Sequence, residues 1–488
     1  MSRRSINPWH LVEMLGEWSS GEGPLYRRLA DALARCIDHG DLRPGVRLPA
    51  ERAMASLFNL SRTTVVAALD LLKTRGYLDS SPGSGTWVRA VRGFSPAGGI
   101  VTPADTVGRN PLFSRLGAGD DSMIDFTASV LSPSPLVETA IRSASREIGD
   151  EIEGAGYHPA GLPVLRDQVA EWFTGRGVPT EANQVLITSG GQQAIMLIAA
   201  AHIQPGDPVV VESPTYPGAL DAFRLVGAAI RTVPVGPNGT RSRDVLQAAE
   251  ARTPILTYLI PSFHNPTGTV MDPFERRRLA RRLEEHTSLV VEDESLVELP
   301  LQEMEVPRPL AAHLDGVLTV GSASKPYWGG LRVGWVRGPV DLIRRLTHYK
   351  TVFDLATPVT TQAVVSRLLR QSEELLEERR RQLGMQLEAI ITALETLLPE
   401  WEWTRPAGGL SVWASLPHGS ATEFAQVAMR NGLAVVAGPF FDPHSQHDRY
   451  LRLPFVLPPQ KIQLGVERLA AAWEHYTGRP GIAVHRPA

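Results

Sequence analysis

Residues Gly321–Trp335 read GSASKPYWGGLRVGW and set one lysine, Lys325, between a serine pair and a glycine-rich run, with Arg332 seven residues further on. A solvated surface lysine needs no such company. Glycines let a backbone approach a ligand closely, while Ser322 and Arg332 can donate to an anion. Upstream, SLVVEDE carries an apolar run that ends on Asp293, where a buried carboxylate is costly without a partner; a helix or turn cap is the alternative role. TSGGQQAI follows the strand-like QVLI and opens a helix, so N–H groups of Gly190, Gly191 and Gln192 would meet an anion at the positive end of the helix dipole. A strand-to-helix turn with two glycines also occurs in α/β proteins without that role. In ESPTYPG, Tyr216 follows the strand PVVVE; in PSFHNPTG, Asn265 suits either a ligand hydroxyl or a simple Asn-Pro turn. Such strands alternate from Ile124 onward with helix-like stretches such as PFERRRLARRLEEH, the pattern of an α/β domain on a largely parallel sheet.

One cofactor would use all of these groups. Pyridoxal 5′-phosphate needs an amine for its Schiff base, a carboxylate against its pyridine nitrogen, donors for its phosphate and a flat partner for its ring. Lys325 is the candidate amine and Asp293 the carboxylate. Gly190, Gly191, Gln192, Ser322 and Arg332 would face the phosphate, Tyr216 the ring and Asn265 the ring hydroxyl.

The other end of the chain has a different character. Leu25 to Arg92 holds eleven Lys/Arg against six Asp/Glu, a local +5 inside a chain of net charge −3, so this end suits a polyanion; a solvated charged face is the plainer explanation. Leu25, Leu29, Leu33 and Ile37 recur four apart on one helical face. RLPAERAMASLF carries Met54, Leu57 and Phe58, and Ser61 is the expected N-cap of a further helix striped by Val65, Ala68, Leu69 and Leu72. Two short helices in this arrangement suit a helix-turn-helix, and YLDSSPGSGTWVRA reads as a hairpin wing. Ser61, Arg62, Thr63 and Thr64 then open the helix that reaches base edges. Arg52 is placed for backbone or base, Arg43 and Arg47 flank it, and the tip of Gly83, Ser84 and Gly85 has no bulk to bar it from a minor groove.

Between the two ends, Gly93 to Asp121 is rich in proline and glycine and loses periodicity. It reads as a tether, although a loop packed on a neighbouring domain has the same composition. About 30 flexible residues have a typical end-to-end distance of roughly 30 Å. At 488 residues two or three domains are expected. The single cysteine, Cys36, rules out an intramolecular disulfide and a cysteine-rich zinc site; no metal site is expected. With no signal-peptide pattern and no apolar run near 18 residues, a cytoplasmic protein without a membrane partner is the expectation.

PLYRRLADAL, GDLRPGVRLPAERAMASLFNLSRTTVVAALDLLKTRGYL and GSGTWV together resemble the winged-helix domain of the GntR regulator family. That likeness makes Arg52, Arg62, Thr63, Thr64 and the wing glycines DNA-contacting positions. YHPAGLPVLR, TSGGQQA, ESPTYPG, HNPTG, the aspartate strand, SASKPYWGGLRVGW and YLRLPF resemble the fold-type-I aminotransferases and occur in that family's order. The likeness implies that Tyr157 reaches the phosphate of a neighbouring subunit's cofactor and that Arg452 clamps an amino acid's α-carboxylate. One departure stands out: Ser295 and Leu296 occupy the positions at which most relatives carry a tyrosine that bonds the ring hydroxyl.

The fusion resembles the MocR subfamily of GntR regulators. It implies a multi-domain chain with an α+β winged helix over residues 21–92, a linker over 93–122 and an α/β aminotransferase-like domain over 123–488. The large subdomain would cover about 150–385 and a smaller α+β subdomain about 386–488. Implied partners are double-stranded operator DNA with repeated half-sites, a second copy of the chain, and an amine or amino-acid effector sensed through the cofactor. A working aminotransferase with a DNA-binding head is the alternative, and the missing tyrosine weighs against full turnover.

Overall fold

The computed structural model describes residues 8–15, 18, 24–38, 42, 46–58, 60–74, 77–81, 85–88, 123–147, 155–251, 253–285 and 288–478. The chain divides into two compact units, residues 1–105 and 106–488.

In the first unit, helices Pro8–Leu15, Leu25–Asp38, Glu51–Leu57 and Arg62–Thr74 precede an antiparallel hairpin of β1 (Leu78–Ser81) and β2 (Gly85–Val88). The expected stripe is buried at Leu29 and Leu33, along with Met54, Val65, Ala68, Leu69 and Leu72. Each fully buried leucine contributes about 1.5–3 kcal/mol. Leu25 departs from the pattern: it opens its helix and is 40% exposed. Ser61 caps the last helix, its Oγ accepting from Thr64 N at 3.1 Å. Arg43, Gly83, Ser84 and the whole of the expected linker, 93–122, lie outside the described residues.

The second unit begins its described part with β3 (Ile124–Asp125). Its main sheet comprises β4 (Val185–Thr188), β5 (Pro208–Ser213), β6 (Ala229–Gly236), β7 (Gly239–Thr240), β8 (Leu256–Leu259), β9 (Leu289–Asp293), β10 (Leu318–Ser322) and β11 (Gly334–Arg337), in the spatial order β4-β11-β10-β9-β8-β5-β6-β7. β6, β5, β8, β9 and β10 run parallel. β11 is antiparallel to both β10 and β4, so β4 shares the parallel direction. The C-terminal ends of β4, β5, β8, β9 and β10 therefore meet at one edge, where open α/β sheets form their ligand crevice. Apolar clusters built from strands such as Val209–Val211 and helices such as Gly191–His202 cover the sheet.

A smaller antiparallel sheet follows, ordered β12 (Glu402–Trp403), β13 (Ser411–Ser415), β16 (Tyr450–Pro454), β15 (Val436–Ala437); β14 (Leu433–Ala434) instead pairs in parallel with β3. The expected subdomain division near residue 385 falls within one continuous helix, Ser372–Leu397. Leu375 and Leu376 join a core beside the large sheet, whereas Leu383, Leu387 and Ile390 join the core of the small one. Among the described residues no helix is long and apolar enough to cross a membrane.

Candidate functional site

The strand ends converge on a cavity of about 490 Å³. Lys325 lies in the turn between β10 and β11, and register pairs Val320 of β10 with Asp293 of β9, which draws the amine and the carboxylate to the same wall. Lys325 Nζ donates to Ser129 O at 3.0 Å. Burial, then the charges of Arg452 and Arg332, bring its pKa down to about 8, with Asp293 opposing. An amine so shifted is partly neutral near physiological pH, the state in which it is a nucleophile.

Asp293 is buried and accepts two hydrogen bonds, from Tyr258 Oη to Oδ2 at 2.6 Å and from Ser295 N to Oδ1 at 2.9 Å. Burial still leaves its pKa raised. Tyr258 is itself pushed well above the ordinary tyrosine value, first by burial and then by Asp293, so its hydroxyl stays protonated and donates. A protonated pyridine nitrogen is the kind of partner this carboxylate needs.

Across the cavity, Gly190 takes φ +99°, and Gly191 opens the helix Gly191–His202. A Cβ at Gly190 would stand 2.8 Å from Arg332 Nη2, and one at Gly334 would stand 2.7 Å from Gly190 C. Only glycine fits this cradle. The first N–H groups of the helix have no intrahelical acceptor and suit an anion. Arg332, in the left-handed region at φ +47°, donates through Nη2 to Ser189 O at 3.0 Å. Ser322 Oγ accepts from Ser324 N, and Ser324 Oγ is buried on the cavity wall without a partner. An orphaned hydroxyl, a helix N-terminus and a guanidinium at one end, with a buried carboxylate at the other, fit a phosphorylated pyridine.

Tyr216 follows β5, its ring folded over Gly218, where a Cβ would lie 2.5 Å from the ring. Burial, then Asp293, pushes its pKa up to about 12. Gln192 Nε2 donates to Gly218 O at 2.7 Å, which ties the cradle to this turn. Asn265 lines the cavity. Arg452 enters from β16, 3% exposed: Nη2 donates to Thr127 O, Cζ lies 5.2 Å from the Phe441 ring centroid, and Nε is unpaired. Burial lowers its pKa to about 10, so it remains a cation at neutral pH.

Of the expected cofactor contacts, Gly190 and Tyr157 do not line the cavity: Gly190 lies behind Arg332 in the cradle, and Tyr157 is 65% exposed. Ser129, Thr127, Ser324 and Tyr258 went unnoticed in the sequence. So did a set behind the cradle, in which Asp354 accepts from Ser189 Oγ, Gln193 Nε2 and the fully buried Lys350 Nζ. Tyr258 reads as an ordinary core residue of β8; Ser129, Thr127 and the Asp354 partners Ser189 and Gln193 meet their groups across more than 160 residues, whereas Ser324 stands in the lysine motif itself and Lys350 one helical turn from Asp354.

In the head, Arg62 donates through Nε and Nη2 to one oxygen of Glu51, at 3.2 and 3.0 Å, while its side chain stays 58% exposed. Ser61, Thr63 and Arg52 are exposed, and Thr64 is half-buried. Arg47 lies against the wing: a Cβ at Gly85 would come 2.6 Å from its Nε.

Fold and site define a pyridoxal-phosphate protein of aminotransferase type joined to a DNA-binding head. The aminotransferase class I and II family matches residues 123–469, and the gntR family of bacterial regulatory proteins matches residues 25–88. A 2-aminoadipate transaminase of Thermus thermophilus is 37% identical over 69% of this chain and 86% of its own length. The HTH-type transcriptional regulator YjiR of Escherichia coli is 30% identical over 89% of this chain and 95% of its own. The crystal structure of LysN, the α-aminoadipate aminotransferase of Thermus thermophilus complexed with N-(5'-phosphopyridoxyl)-L-leucine, superimposes with a TM-score of 0.68 at 34% identity, covering 73% of this chain and 94% of that one. The chain belongs to the MocR-type regulators, in which a GntR head is fused to a class I and II aminotransferase domain. It is a DNA-binding transcriptional regulator with pyridoxal phosphate as its cofactor.

Proposed function

We propose that the aminotransferase-like body is the sensor of this regulator, reading a small amine or amino acid and altering how paired heads hold repeated half-sites on double-stranded DNA. Pyridoxal phosphate, when bound, supplies an aldehyde that an amine captures reversibly and a ring that withdraws electrons. Lys325 is the amine on the protein's side; Asp293, held by Tyr258 and Ser295 N, faces the ring nitrogen. Gly190, Gly191, Gln192, Ser322, Ser324 and Arg332 hold the phosphate, Tyr216 covers the ring, and Asn265 meets its hydroxyl. Arg452 grips the effector's carboxylate, for which its planar fork is suited.

The observation that carries this reading is the meeting of two cations on one strip of backbone. Lys325 donates to Ser129 O and Arg452 to Thr127 O. A cofactor that engages Lys325 and a carboxylate that engages Arg452 each take a donor from the strip. That strip follows the expected tether, residues 93–122, in the sequence and is fixed to the small sheet by Phe126 N to Ala434 O at 2.8 Å. A ligand at the site acts on this strip, and it alters the heads only by favouring one arrangement of the chain over another, which is what linkage requires.

A homodimer completes the reading. Tyr157 is exposed and free of its own cavity, hence available to a neighbouring subunit. Val352, Phe353 and Leu355 also expose apolar surface around Asp354, the residue that bonds Ser189 beside the cradle. Gel-shift titration on the chain's own upstream DNA, with and without pyridoxal phosphate and a panel of amines, tests the proposal. A change of about 5–150-fold in DNA affinity is expected; identical affinity in every combination rules it out.

A second reading, turnover as an aminotransferase, is favoured by the meeting of Lys325, Asp293, Arg332 and Arg452 at one cavity. Steady-state release of keto acid from a range of amino donors separates the two.

A further inference from the structure

We infer that Asp354 is a positioning residue for the cofactor's phosphate. By fixing Ser189 and Gln193 it sets both the helix start and the arginine of the cradle, and with them the protein's preference for phosphorylated over unphosphorylated pyridoxal. This rests on the cradle assigned above and adds the group that keeps it in shape.

The polar groups of Ser189 are engaged on every side. Its N–H donates to Gln193 Oε1 at 2.7 Å, its hydroxyl donates to Asp354 Oδ2 at 3.1 Å, and its carbonyl accepts from Arg332 Nη2 at 3.0 Å. Gln193 Nε2 in turn donates to the same Asp354 oxygen at 2.7 Å. One carboxylate oxygen thus closes a ring of contacts around the residue that precedes Gly190. With the Ser189 N–H taken, the helix Gly191–His202 presents the N–H groups of Gly191 and Gln192, which have no intrahelical acceptor. The Ser189 carbonyl meanwhile steers the guanidinium of Arg332. Asp354 does not itself line the cavity, so its effect on an anion passes through the residues it holds.

Helix stability alone would not select a carboxylate at this position. Asp354 is the C-cap of the helix Val340–Phe353, where the helix dipole disfavours a negative charge. Lys350, fully buried in the last turn of that helix, offsets this by donating to Asp354 Oδ1 at 2.8 Å. Burial opposes ionisation of Asp354, but the hydrogen bonds from Lys350, Gln193 and Ser189, with the Lys350 charge, prevail and hold its carboxyl below the ordinary value. An ionised acceptor binds its donors more strongly than a neutral one. The pair leaves Oδ2 to Ser189 and Gln193, a task that a helix end by itself does not require.

The test compares pyridoxal phosphate with pyridoxal, which lacks the phosphate, on full-length protein freed of cofactor, followed by the visible absorbance of the lysine-bound aldehyde. Asp354→Leu combined with Lys350→Met removes the acceptor without leaving a buried ion unpaired. It should weaken binding of pyridoxal phosphate by about tenfold or more and of pyridoxal by less than about twofold. Asp354→Asn combined with Lys350→Met, in which an amide oxygen can turn to Ser189 and Gln193, should recover most of the loss. Gln193→Met keeps the ion pair and serves if the first double variant does not fold; it should lose phosphate preference in the same direction. Equal loss for both ligands, or no loss, in the variant so chosen overturns the inference, since general loosening acts on both alike. Arg332→Ala tests the cradle separately. If it loses the preference for phosphate while the Asp354 or Gln193 variant keeps it, the cradle stands and the inference falls; if Arg332→Ala keeps the preference too, both fall.

Discussion

Tyr258 Oη and Asp293 Oδ2 are 2.6 Å apart, joined across neighbouring strands whose register pairs Tyr258 with Val291, so the tyrosine and the carboxylate lie diagonally on one face. Burial favours the neutral form of Asp293, and this donor opposes it together with the side chain and the backbone N–H of Ser295. Tyr258→Phe should therefore raise the pKa of Asp293 further and weaken cofactor binding by about 1.5–3 kcal/mol, the worth of a hydrogen bond to a charged group. Equilibrium dialysis of pyridoxal phosphate from pH 6 to 9 checks this. Wild-type affinity across that range would show that Ser295 suffices without the tyrosine.

Lys325 should titrate near pH 8 instead of its ordinary 10.5. The rate of cofactor capture, which needs the neutral amine, should rise as pH increases through 8. Between the two values the unfolded chain binds a proton that the folded chain does not, so this residue's contribution makes stability grow with pH over that window. Tyr216, held near 12 against an ordinary 10, opposes the trend above pH 10. Denaturant titrations of cofactor-free protein at pH 8 and 9.5 should thus show a smaller gain in Lys325→Met than in wild type. Equal gains in the two proteins would place the shifted proton elsewhere. The same variant should lack the visible absorbance of lysine-bound cofactor.

Gly190→Ala should damage the cradle for two reasons, the left-handed φ of +99° and the 2.8 Å approach of its Cβ to Arg332 Nη2. A drop in cofactor affinity of about tenfold or more is expected, from strain of about 1–3 kcal/mol. Gly175→Ala is the matched control, because nothing lies within 4 Å of a Cβ there. Comparable losses in both variants would mean that the cradle is more pliant than its packing implies.

In the head, Glu51 holds the Arg62 fork while leaving it largely exposed. Arg62→Ala should remove sequence selectivity by about 1–3 kcal/mol per lost bidentate base contact. Glu51→Ala should free the fork and weaken selectivity less. Competition between operator and random DNA measures both, and an Arg62→Ala protein that still prefers its operator excludes this arginine from base reading.

Helices in the head were legible because their apolar residues recur at helical spacing, and Ser61 caps as its hydroxyl predicts. The main strands were legible as short apolar runs between helical patterns. β11 was not: Gly334–Arg337 lies inside the motif that drew attention to Lys325, and its antiparallel course depends on pairing with β4, almost 150 residues earlier. The helix Ser372–Leu397 likewise runs through the expected subdomain division, because its two halves bury leucines in different cores.

What the amino-acid order determined by itself was the chemistry available: a lysine among small residues, a carboxylate closing an apolar run, glycines at a helix start, and an arginine opening a capped helix. Local spacing suffices for such features, since caps, turns and periodicity act over a few residues. Tertiary structure alone decided which groups touch. Tyr258 meets Asp293, Ser129 meets Lys325 and Thr127 meets Arg452 because parallel strands end at one edge of the sheet and the chain after β3 passes beside it. Contacts made across 35, 196 and 325 residues carry no local signature, for they depend on burial and sheet order that exist only once the whole domain has closed.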